Sequence, residues 1–451
     1  METTREEILE LTRRYYKEHF LKIAQKQKNF QPGDRIGYAG RFFDEKELVS
    51  LIDSSLDFWL TSGRFTDEFE KMLANQLGSK WSYLVNSGSS ANLLAFFSLT
   101  SPLLKERAIV RGDEIITLAC GFPTTVAPAV QFGAKCVFVD VDLDTLNVCV
   151  EQLEAAYHPN KTKAVMFAHT LGNPFNLKVV LDFCKTHNLW LIEDNCDALG
   201  SKYIINGMEK FTGSIGDIGT SSFYPPHHLT MGEGGAVYTS HSLLKRVLLS
   251  LRDWGRDCYC PSGKDNTCNK RYGFELGKLP KGYDHKYIYS HFGFNLKATD
   301  MQASIGIEQL KKLSNFTQRR QENWNYLRKK AKDFGWEEFF HFQRPTENSI
   351  PSWFGFSFTL KDENTLFSRH QLVSYLEENN IQTRMLFGGN LIKHPCFNTM
   401  VENVDYRIVG DLINTNRIME KTFWIGVYPG LEKVHLDFIT QKIQDFIRLA
   451  I

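Results

Sequence analysis

Short apolar runs alternate with amphipathic segments from about residue 40 to residue 240. Four runs have the length and composition of buried strands, and the segments between them carry apolar residues at helical spacing. The runs are EIITLA, CVFVDV, AVMFAH and LWLIED, and the segments are PTTVAPAVQFGA, VEQLEAAYH and NLKVVLDFCKTHN. This alternation predicts right-handed βαβ units, and therefore an α/β fold whose mainly parallel central sheet has helices on both faces. In such sheets, functional residues gather at the carboxyl ends of the strands.

The pattern changes on both sides of this region. The first 40 or so residues predict an amphipathic helix that breaks at Gln31-Pro32-Gly33-Asp34, and residues 241–310 add a polar insertion that contains glycine and cysteine. After residue 311, helices mix with short strands such as SWFGFSFTL. Because 451 residues exceed the usual size of one core, we expect more than one lobe. The predicted parts are an N-terminal helical segment (1–40), a large domain (41–310) with the insertion at about 252–285, and a small C-terminal α+β lobe (311–451).

Composition and charge narrow the class of protein. Hydrophobic residues at 42% and charged residues at 23% are ordinary values for a globular chain. A net charge of +1 gives no overall field for attracting nucleic acid or a membrane surface. The sequence shows neither a signal peptide nor an apolar run of about 20 residues, so we expect a cytoplasmic protein with no membrane or nucleic-acid partner. The nine cysteines of such a protein are not expected to form disulfides.

Candidate chemistry begins where the strand-like runs end. The stretch Asn86-Ser87-Gly88-Ser89-Ser90 follows WSYLV and opens a helical segment, so its N–H groups could hold a phosphate; a serine-rich helix cap is the alternative. Asp194 closes LWLIED, where its carboxylate could pair with a protonated pyridine nitrogen or cap a helix. Phe122, just past EIITLA, could stack on a flat cofactor or pack in the core.

The densest group of unusual residues is the run from Gly219 to Val237, GTSSFYPPHHLTMGEGGAV. It combines a hydroxyl cluster that includes Ser222, a rigid Pro-Pro pair, the neighbouring histidines His227 and His228, and a glycine-rich tail. A lone histidine is usually structural, but this combination is not typical of a packing segment. The run is therefore a candidate for catalysis.

On these motifs, the chain from about residue 40 to residue 430 resembles the nucleotide-sugar aminotransferase and dehydratase family of the type I PLP-dependent transferase fold, which is aspartate aminotransferase-like. That family has Ser-Phe, three variable residues, a lysine and a tail like Gly-Glu-Gly-Gly. In this sequence His227 stands at the lysine position. The resemblance implies that the cofactor contacts are Gly88, Ser89, Phe122, Asp194 and Ser222.

Two further positions follow from the resemblance. In relatives, the stretch corresponding to Gly293-Phe294-Asn295-Leu296 reaches the cofactor phosphate of the partner subunit, which implies a homodimer with shared active sites and a role for Asn295. Asp197 stands where the family has Gln or His, so its contact to the ring hydroxyl is open.

The replacement of lysine by histidine changes the expected chemistry. A lysine amine can bond covalently to pyridoxal phosphate, whereas imidazole cannot, although it can act as a base near neutral pH. We therefore expect pyridoxamine 5'-phosphate (PMP), held noncovalently, whose amine would condense with a sugar ketone at C4. His227 would then take a proton from the cofactor methylene, and the C3 hydroxyl would leave. Since His228 is adjacent, it is the competing candidate for this base. The product of this elimination would still need two electrons to become a deoxy sugar.

Four cysteines indicate a source for those electrons. Cys258, Cys260 and Cys268 lie in the polar insertion RDCYCPSGKDNTCNK, and Cys196 stands two residues after Asp194. From the spacing alone, an iron–sulfur cluster, a zinc site and unligated thiols all remain open. A cluster next to the cofactor would also meet the need for electrons, which zinc would not. A 2Fe-2S cluster ligated by these four thiols is therefore the favoured prediction.

The histidine, the CYC motif and the stretch GYDHKYIYSHFGFN together resemble the iron–sulfur branch of the family, which dehydrates nucleotide-linked 4-keto-6-deoxy-hexoses at C3. The resemblance implies an NADH-dependent flavin/iron–sulfur reductase as partner and CDP as the substrate's nucleotide, with dTDP left open. Two alternatives remain open. One is a cluster-free 3-dehydratase that regenerates its cofactor with glutamate, and the other is a zinc-stabilised, non-catalytic homologue.

Overall fold

A computed structural model describes residues 2–28, 30–260 and 263–451 of the chain. Residues 261 and 262, inside the predicted insertion, and residues 1 and 29, inside the predicted N-terminal segment, lie outside the described part. The helices are α1 (Glu2–Lys28), α2 (Glu45–Asp57), α3 (Arg64–Leu77), α4 (Gly88–Ser98), α5 (Pro123–Phe132), α6 (Leu153–Ala156), α7 (Leu177–Thr186), α8 (Ser242–Arg252), α9 (Asp300–Lys311), α10 (Leu313–Asp333), α11 (Arg369–Glu378), α12 (Ile413–Lys421) and α13 (Lys433–Ala450). The strands are β1 (Trp81–Val85), β2 (Glu114–Leu118), β3 (Lys135–Val139), β4 (Thr162–Ala168), β5 (Trp190–Asp194), β6 (Lys202–Ile205), β7 (Met208–Phe211), β8 (Ile218–Ser222), β9 (Gly235–Thr239), β10 (Phe340–His341), β11 (Ser349–Ile350), β12 (Gly355–Leu360), β13 (Thr383–Arg384), β14 (Tyr406–Ile408) and β15 (Thr422–Gly426).

An eight-stranded sheet in the order β1-β9-β8-β5-β4-β2-β3-β14 forms the centre of the large domain. The strands from β8 to β14 pair in parallel, whereas β9 pairs antiparallel with both of its neighbours. Both faces of this sheet are covered: Ile115 belongs to one hydrophobic cluster, and its neighbour Ile116 belongs to another. The predicted α/β fold with a mainly parallel sheet is confirmed.

The four strand-like runs of the sequence are β2, β3, β4 and β5, and each lies almost entirely buried because helices cover both sheet faces. The parallel strands β5 and β8 end side by side, with Asp194 opposite Thr220 in the register. As a result, the segments after β2, β5 and β8 and the start of α4 converge on one edge of the sheet.

The small lobe is built on a four-stranded antiparallel sheet in the order β10-β12-β15-β13. Its core includes side chains from α10, α11 and α13 and also takes in Phe30 and Ile36 from the N-terminal part of the chain. Conversely, β14 comes from the C-terminal part of the chain and pairs with β3 of the large sheet. A third, three-stranded sheet has the order β11-β6-β7.

Within the described ranges, none of the helices combines the length and the apolar character needed to cross a membrane.

Candidate active site

A cavity of about 360 Å³ lies at the carboxyl edge of the central sheet, between the large domain and the small lobe. Eight of the residues named from the sequence line it: Gly88, Ser89, Phe122, Asp194, Cys196, Asp197, Ser222 and His227. They come from four separate segments of the chain, which meet because the strands before them belong to one sheet.

The carboxylate of Asp194 is held in place at the end of β5. Its Oδ2 accepts hydrogen bonds from Asn92 Nδ2 at 2.8 Å and Thr125 Oγ1 at 2.7 Å, and its Oδ1 accepts one from the Cys196 N–H at 3.2 Å. Asn92 is itself fixed, since its Oδ1 accepts from Thr220 Oγ1 at 2.7 Å. These donors orient a nearly buried anion toward the cavity, where it could pair with a protonated ring nitrogen.

A second feature of the cavity is the start of α4. The Ser87 hydroxyl caps this helix by accepting from the Ser90 N–H at 3.0 Å, while Gly88 and Ser89 form its first turn on the cavity wall. A Cβ on Gly88 would lie 2.3 Å from the Ser222 Cβ, so only glycine allows β8 to end this close to the helix. The helix start, with Ser89 exposed and Ser222 beside it, has the N–H and hydroxyl donors that suit a phosphate.

Phe122 lies immediately before α5 and is 50% exposed, on the cavity wall. A half-exposed aromatic ring inside a cavity is suited to a flat partner such as a pyridine ring.

His227 faces Asp197 across the cavity wall, with 3.6 Å between Nε2 and Oδ1, and both side chains are less than a fifth exposed. Burial raises the pKa of Asp197, while the nearby His227 and the Arg320 guanidinium oppose that effect. His228, in contrast, is 2% exposed and does not line the cavity. Of the two adjacent histidines, only His227 is therefore placed to meet a ligand.

The small lobe, together with Tyr38 of the N-terminal part of the chain, adds a wall that the sequence motifs did not indicate. Tyr38, Phe354, Arg384 and Trp424 all line the cavity. The Arg384 guanidinium stacks on the Tyr38 ring at 3.8 Å and donates to the Thr383 carbonyl at 2.7 Å. Because a guanidinium has five N–H donors, these contacts leave most of them for a ligand.

The four candidate metal ligands lie in two places. Cys196 lines the large cavity, where burial above all, and then the Asp194 charge, raise the pKa of its thiol. Cys258, Cys260 and Cys268 line a separate small cleft in the insertion, together with His285. Burial opposes ionisation of Cys260, but hydrogen bonds involving Thr267, Cys268 and Cys258 outweigh it and lower the pKa of this thiol to about 7.

Within residues 2–28, 30–260 and 263–451, no group of three or more His, Cys, Asp or Glu side chains is spaced to hold a metal ion. The geometry therefore does not support the expected cluster. Asn295 does not line the cavity of its own chain: it forms an isolated bridge with Asp253, and its Oδ1 accepts from Lys297 Nζ at 2.8 Å. Its expected role toward a partner subunit stays a prediction.

The comparisons with known proteins agree with this architecture. The family model of the DegT/DnrJ/EryC1/StrS aminotransferases matches residues 43–444. The lipopolysaccharide biosynthesis protein RfbH of Salmonella typhimurium is 51% identical, with 99% of this chain and 98% of that protein aligned. The dTDP-4-dehydro-2,6-dideoxy-D-glucose 3-dehydratase of Saccharopolyspora spinosa is 46% identical, over 98% of this chain and 92% of that protein. The structure of the E. coli GDP-4-keto-6-deoxy-D-mannose-3-dehydratase with bound hydrated PLP has a TM-score of 0.79 and 29% identity, covering 91% of this chain and 99% of that one.

The fold is that of a PLP-dependent transferase of the aspartate aminotransferase type. The chain belongs to the DegT/DnrJ/EryC1/StrS aminotransferase family. The sequence-based predictions of this fold and of an enzyme are confirmed.

Proposed function

We propose that this enzyme removes the C3 hydroxyl of a nucleotide-linked 4-keto-6-deoxy-hexose, namely CDP-4-keto-6-deoxy-D-glucose, on the cytoplasmic route to the 3,6-dideoxyhexoses of lipopolysaccharide O-antigens. The observation that carries the proposal is His227, which lines the cavity beside Asp197 at the position of the family's lysine. The similarity to two 3-dehydratases supports this reaction, and the similarity to the lipopolysaccharide biosynthesis protein RfbH supports this pathway.

The residues of the cavity fit pyridoxamine phosphate. At Gly88 the start of α4 meets the end of β8, and no room is left for a Cβ. A phosphate cradle requires backbone segments that approach each other this closely. Asp194 provides an oriented anion for the pyridine nitrogen, and Phe122 provides an exposed ring for stacking.

When bound, pyridoxamine phosphate supplies an amine for the C4 ketone and a ring that accepts electrons from its methylene carbon. His227 removes the methylene proton and holds it close to the C3 oxygen that leaves. Asp194 favours the protonated ring nitrogen and so makes the methylene proton more acidic. Tyr38, Phe354 and Trp424 exclude water from the small-lobe side of the cavity.

Arg384 is the residue that suits the nucleotide part of the substrate. Guanidinium groups recognise phosphate oxygens with paired N–H donors, and this one, on β13, lines the same cavity as the helix start that would hold the cofactor phosphate. The cavity thus has one anion-binding feature in each lobe, as a phosphorylated cofactor and a diphosphate-linked sugar together require.

The direct test uses protein loaded with pyridoxamine phosphate and CDP-4-keto-6-deoxy-D-glucose in D2O. We expect deuterium at the cofactor methylene by NMR and loss of the C3 oxygen by mass spectrometry, with no reductase present. The same assay with the dTDP-linked sugar compares the two nucleotides. Absence of methylene exchange with both substrates would contradict the proposal.

We further propose that Cys196, Cys258, Cys260 and Cys268 would hold a 2Fe-2S cluster, which would supply electrons for the deoxygenation, with an NADH-dependent flavin/iron–sulfur reductase as their source. The support is chemical: the three insertion thiols share one cleft, and the pKa of Cys260 is lowered to about 7, which favours the thiolate form that binds iron. Because metal ligands often adopt their final arrangement only when metal binds, the open cleft is compatible with a site that metal assembles.

Anaerobically purified protein should contain about two irons and two sulfides per chain and absorb as a 2Fe-2S protein. Cys260→Ser should lose most of this absorbance, whereas Cys184→Ser, which changes a buried thiol of the large-domain core, should keep it. Both variants should still exchange the cofactor methylene, because that step needs only the base and the ring. Stoichiometric zinc without iron would contradict the cluster and favour a structural metal site.

A cluster-free 3-dehydratase is the second candidate. It is favoured by one observation: Cys196 lines the cofactor cavity, while the other three cysteines line a different cleft. On this reading glutamate regenerates the cofactor, and turnover requires glutamate rather than NADH and a reductase. Measuring turnover with each donor in turn separates the two candidates.

We also propose a homodimer. Phe292 is fully exposed and directly precedes Gly293-Phe294-Asn295, the stretch that reaches a neighbouring subunit's cofactor in relatives. Light scattering should give twice the chain mass of 52.0 kDa. Phe292→Asp should shift the mass toward the monomer if the exposed ring packs against a second copy.

A further inference from the structure

His228, the second histidine of the Pro-Pro-His-His run, is a hydrogen-bond donor inside the protein. Its Nε2 lies 2.6 Å from the Ser352 carbonyl, and because a carbonyl only accepts, Nε2 carries the hydrogen. Burial, reinforced by the nearby Arg320 charge, holds the pKa of His228 well below its usual range. The ring is therefore a neutral donor, and its role differs from that of the neighbour that lines the cavity.

The acceptor belongs to a segment that is itself firmly fixed. The Ser352 N–H donates to Ser201 Oγ at 2.7 Å, and Ser201 Oγ donates to the Gly172 carbonyl at 2.8 Å. A Cβ on Gly172, whose φ is +87°, would lie 2.1 Å from the Ser352 oxygen, so only glycine permits this approach. The Phe354 N–H also donates to the Leu171 carbonyl at 2.8 Å. We call residues 352–354 the shelf, since they form a fixed support beside the cavity.

Arg320 of α10 joins the same two segments. It is 2% exposed, and its hydrogen bonds go to backbone carbonyls: Nη2 donates to His227 O at 3.3 Å, and Nη1 donates to Trp353 O at 3.2 Å. These bonds use the two terminal nitrogens, while Nε has no hydrogen-bond partner within the described residues. Because a buried cation without such bonds is unfavourable, Arg320 favours the arrangement that keeps the carbonyls of the two segments side by side.

The His227 side chain has few contacts that could hold it by themselves. Its nearest charged partner is Asp197 at 3.6 Å, and the closest rings are Phe354 at 5.5 Å and Tyr224 at 6.4 Å between centroids. The place of the imidazole therefore depends on where the backbone of residues 227–228 is held.

We propose that His228 and Arg320 are positioning residues, which fasten the backbone of residues 227–228 to the shelf and thereby fix the His227 imidazole in the cavity. The proposal rests on the proposed function, in which His227 is the base. It explains why two adjacent histidines are needed: one meets the cofactor, and the other holds the first in place.

The test compares two substitutions in holoenzyme loaded with pyridoxamine phosphate. His228→Gln keeps a donor near the position of Nε2, whereas His228→Leu removes it at a similar size. With substrate in D2O, we expect His228→Leu to slow methylene exchange by about 100-fold, because small displacements of a reacting group have effects of that order. His228→Gln should exchange close to the parent rate, and Arg320→Lys should fall between them. The dissociation constant of pyridoxamine phosphate should not change in any of the three.

His435→Leu is the matched control. His435 is also mostly buried, but its Nδ1 accepts the Glu432 N–H at 3.0 Å at the start of α13, and its ring lies against Phe30 of the small-lobe core. This variant should lower the thermal stability without changing methylene exchange. Parent-like exchange in His228→Leu would overturn the proposal, as would equal loss in a folded His228→Gln.

A further measurement separates failure of this proposal from failure of the proposed function. If the parent enzyme shows no methylene exchange, the assignment of His227 as base fails, and hydrogen exchange of the backbone amides of residues 227–231 then decides the positioning claim. Faster amide exchange in His228→Leu than in His228→Gln would support it. Equal protection in the two variants would overturn it.

Discussion

The cofactor cavity and the cysteine cleft show two different ways of arranging functional groups. In the cavity, Asp194 has three hydrogen-bond donors and closes a fully buried strand. The cysteine cleft lies in an insertion whose described residues contain neither a strand nor a helix beyond one short turn at His285–Tyr287. Ion pairs such as Arg271–Asp284 hold this insertion together, and their side chains are partly exposed.

This difference reflects the ligands that each region would take. A flat organic cofactor makes several weak contacts, so its site must exist before it binds. Thiolates make strong bonds to metal, and binding energy can then order the segment that carries them. One enzyme can therefore combine a formed cofactor cavity with cysteines that, in the described part of the chain, are not yet arranged around a metal.

The largest effect is expected for His227→Asn, which removes the proposed base from the cofactor cavity. Methylene exchange should fall by about 10³ to 10⁴-fold, the upper range for loss of a general base, because asparagine cannot accept the proton. Binding of pyridoxamine phosphate should persist, since the proposed contacts at Gly88, Ser222 and Phe122 are untouched. NMR of the methylene signal in D2O and fluorescence titration measure the two properties.

His227→Lys sharpens the same prediction. A lysine amine at this position should bond covalently to pyridoxal phosphate through a C=N bond, giving an absorbance near the visible. Borohydride should reduce that bond, remove the absorbance and leave the cofactor permanently attached. Methylene exchange that survives in His227→Asn but disappears in a folded His228→Asn that binds cofactor would show that the base is His228. The assignment of His227 as the histidine that meets the cofactor would then be wrong.

Asp194→Asn should have the next largest effect. The amide is neutral and no longer favours the protonated ring nitrogen, so the barrier to proton removal should rise by about 3 kcal/mol, which is roughly a 100-fold loss of rate. Single-turnover measurements at saturating cofactor isolate this step. Thr125→Val provides a comparison, because it removes one of the hydrogen bonds to the carboxylate but keeps the charge. Parent-like turnover in Asp194→Asn would show that the ring lies elsewhere.

The sequence motifs predicted the large-domain side of the cavity better than the small-lobe side, and the reason is physical. Asp194 closes one strand-like run and Phe122 follows another, and such runs end at one sheet edge, so the proximity of these two residues follows from the βαβ pattern. Tyr38 and Arg384 lie 346 positions apart in the chain and meet only through packing of the small lobe, which no local pattern specifies. The donors to Asp194 were missed as well, although Thr125 lies in the helical segment PTTVAPAVQFGA, which directly follows Phe122.

Arg384→Gln should have a moderate effect that is confined to substrate binding. Hydrogen bonds to charged groups contribute about 1.5–3 kcal/mol, so KM for the nucleotide sugar should rise by roughly ten- to a hundredfold while kcat changes little. Arg14→Gln, which removes the same charge from a side chain that is 67% exposed in α1, should leave KM unchanged. An unchanged KM in Arg384→Gln would mean that the diphosphate binds elsewhere.

The smallest expected effect concerns the cysteine cleft in metal-free protein, where alkylation reports the state of each thiol. The pKa of Cys260 is lowered to about 7, so about half of this thiol is ionised at pH 7 and about a tenth at pH 6, and iodoacetamide should react about fivefold faster at the higher pH. Burial raises the pKa of Cys136 to about 12, so it should stay unmodified at both pH values. Peptide mass spectrometry after short exposures gives both rates.

Loading with iron and sulfide should then protect Cys260 from alkylation, because a ligated thiolate cannot attack the reagent. If Cys260 reacts equally fast with and without iron and sulfide, the cleft does not hold the metal.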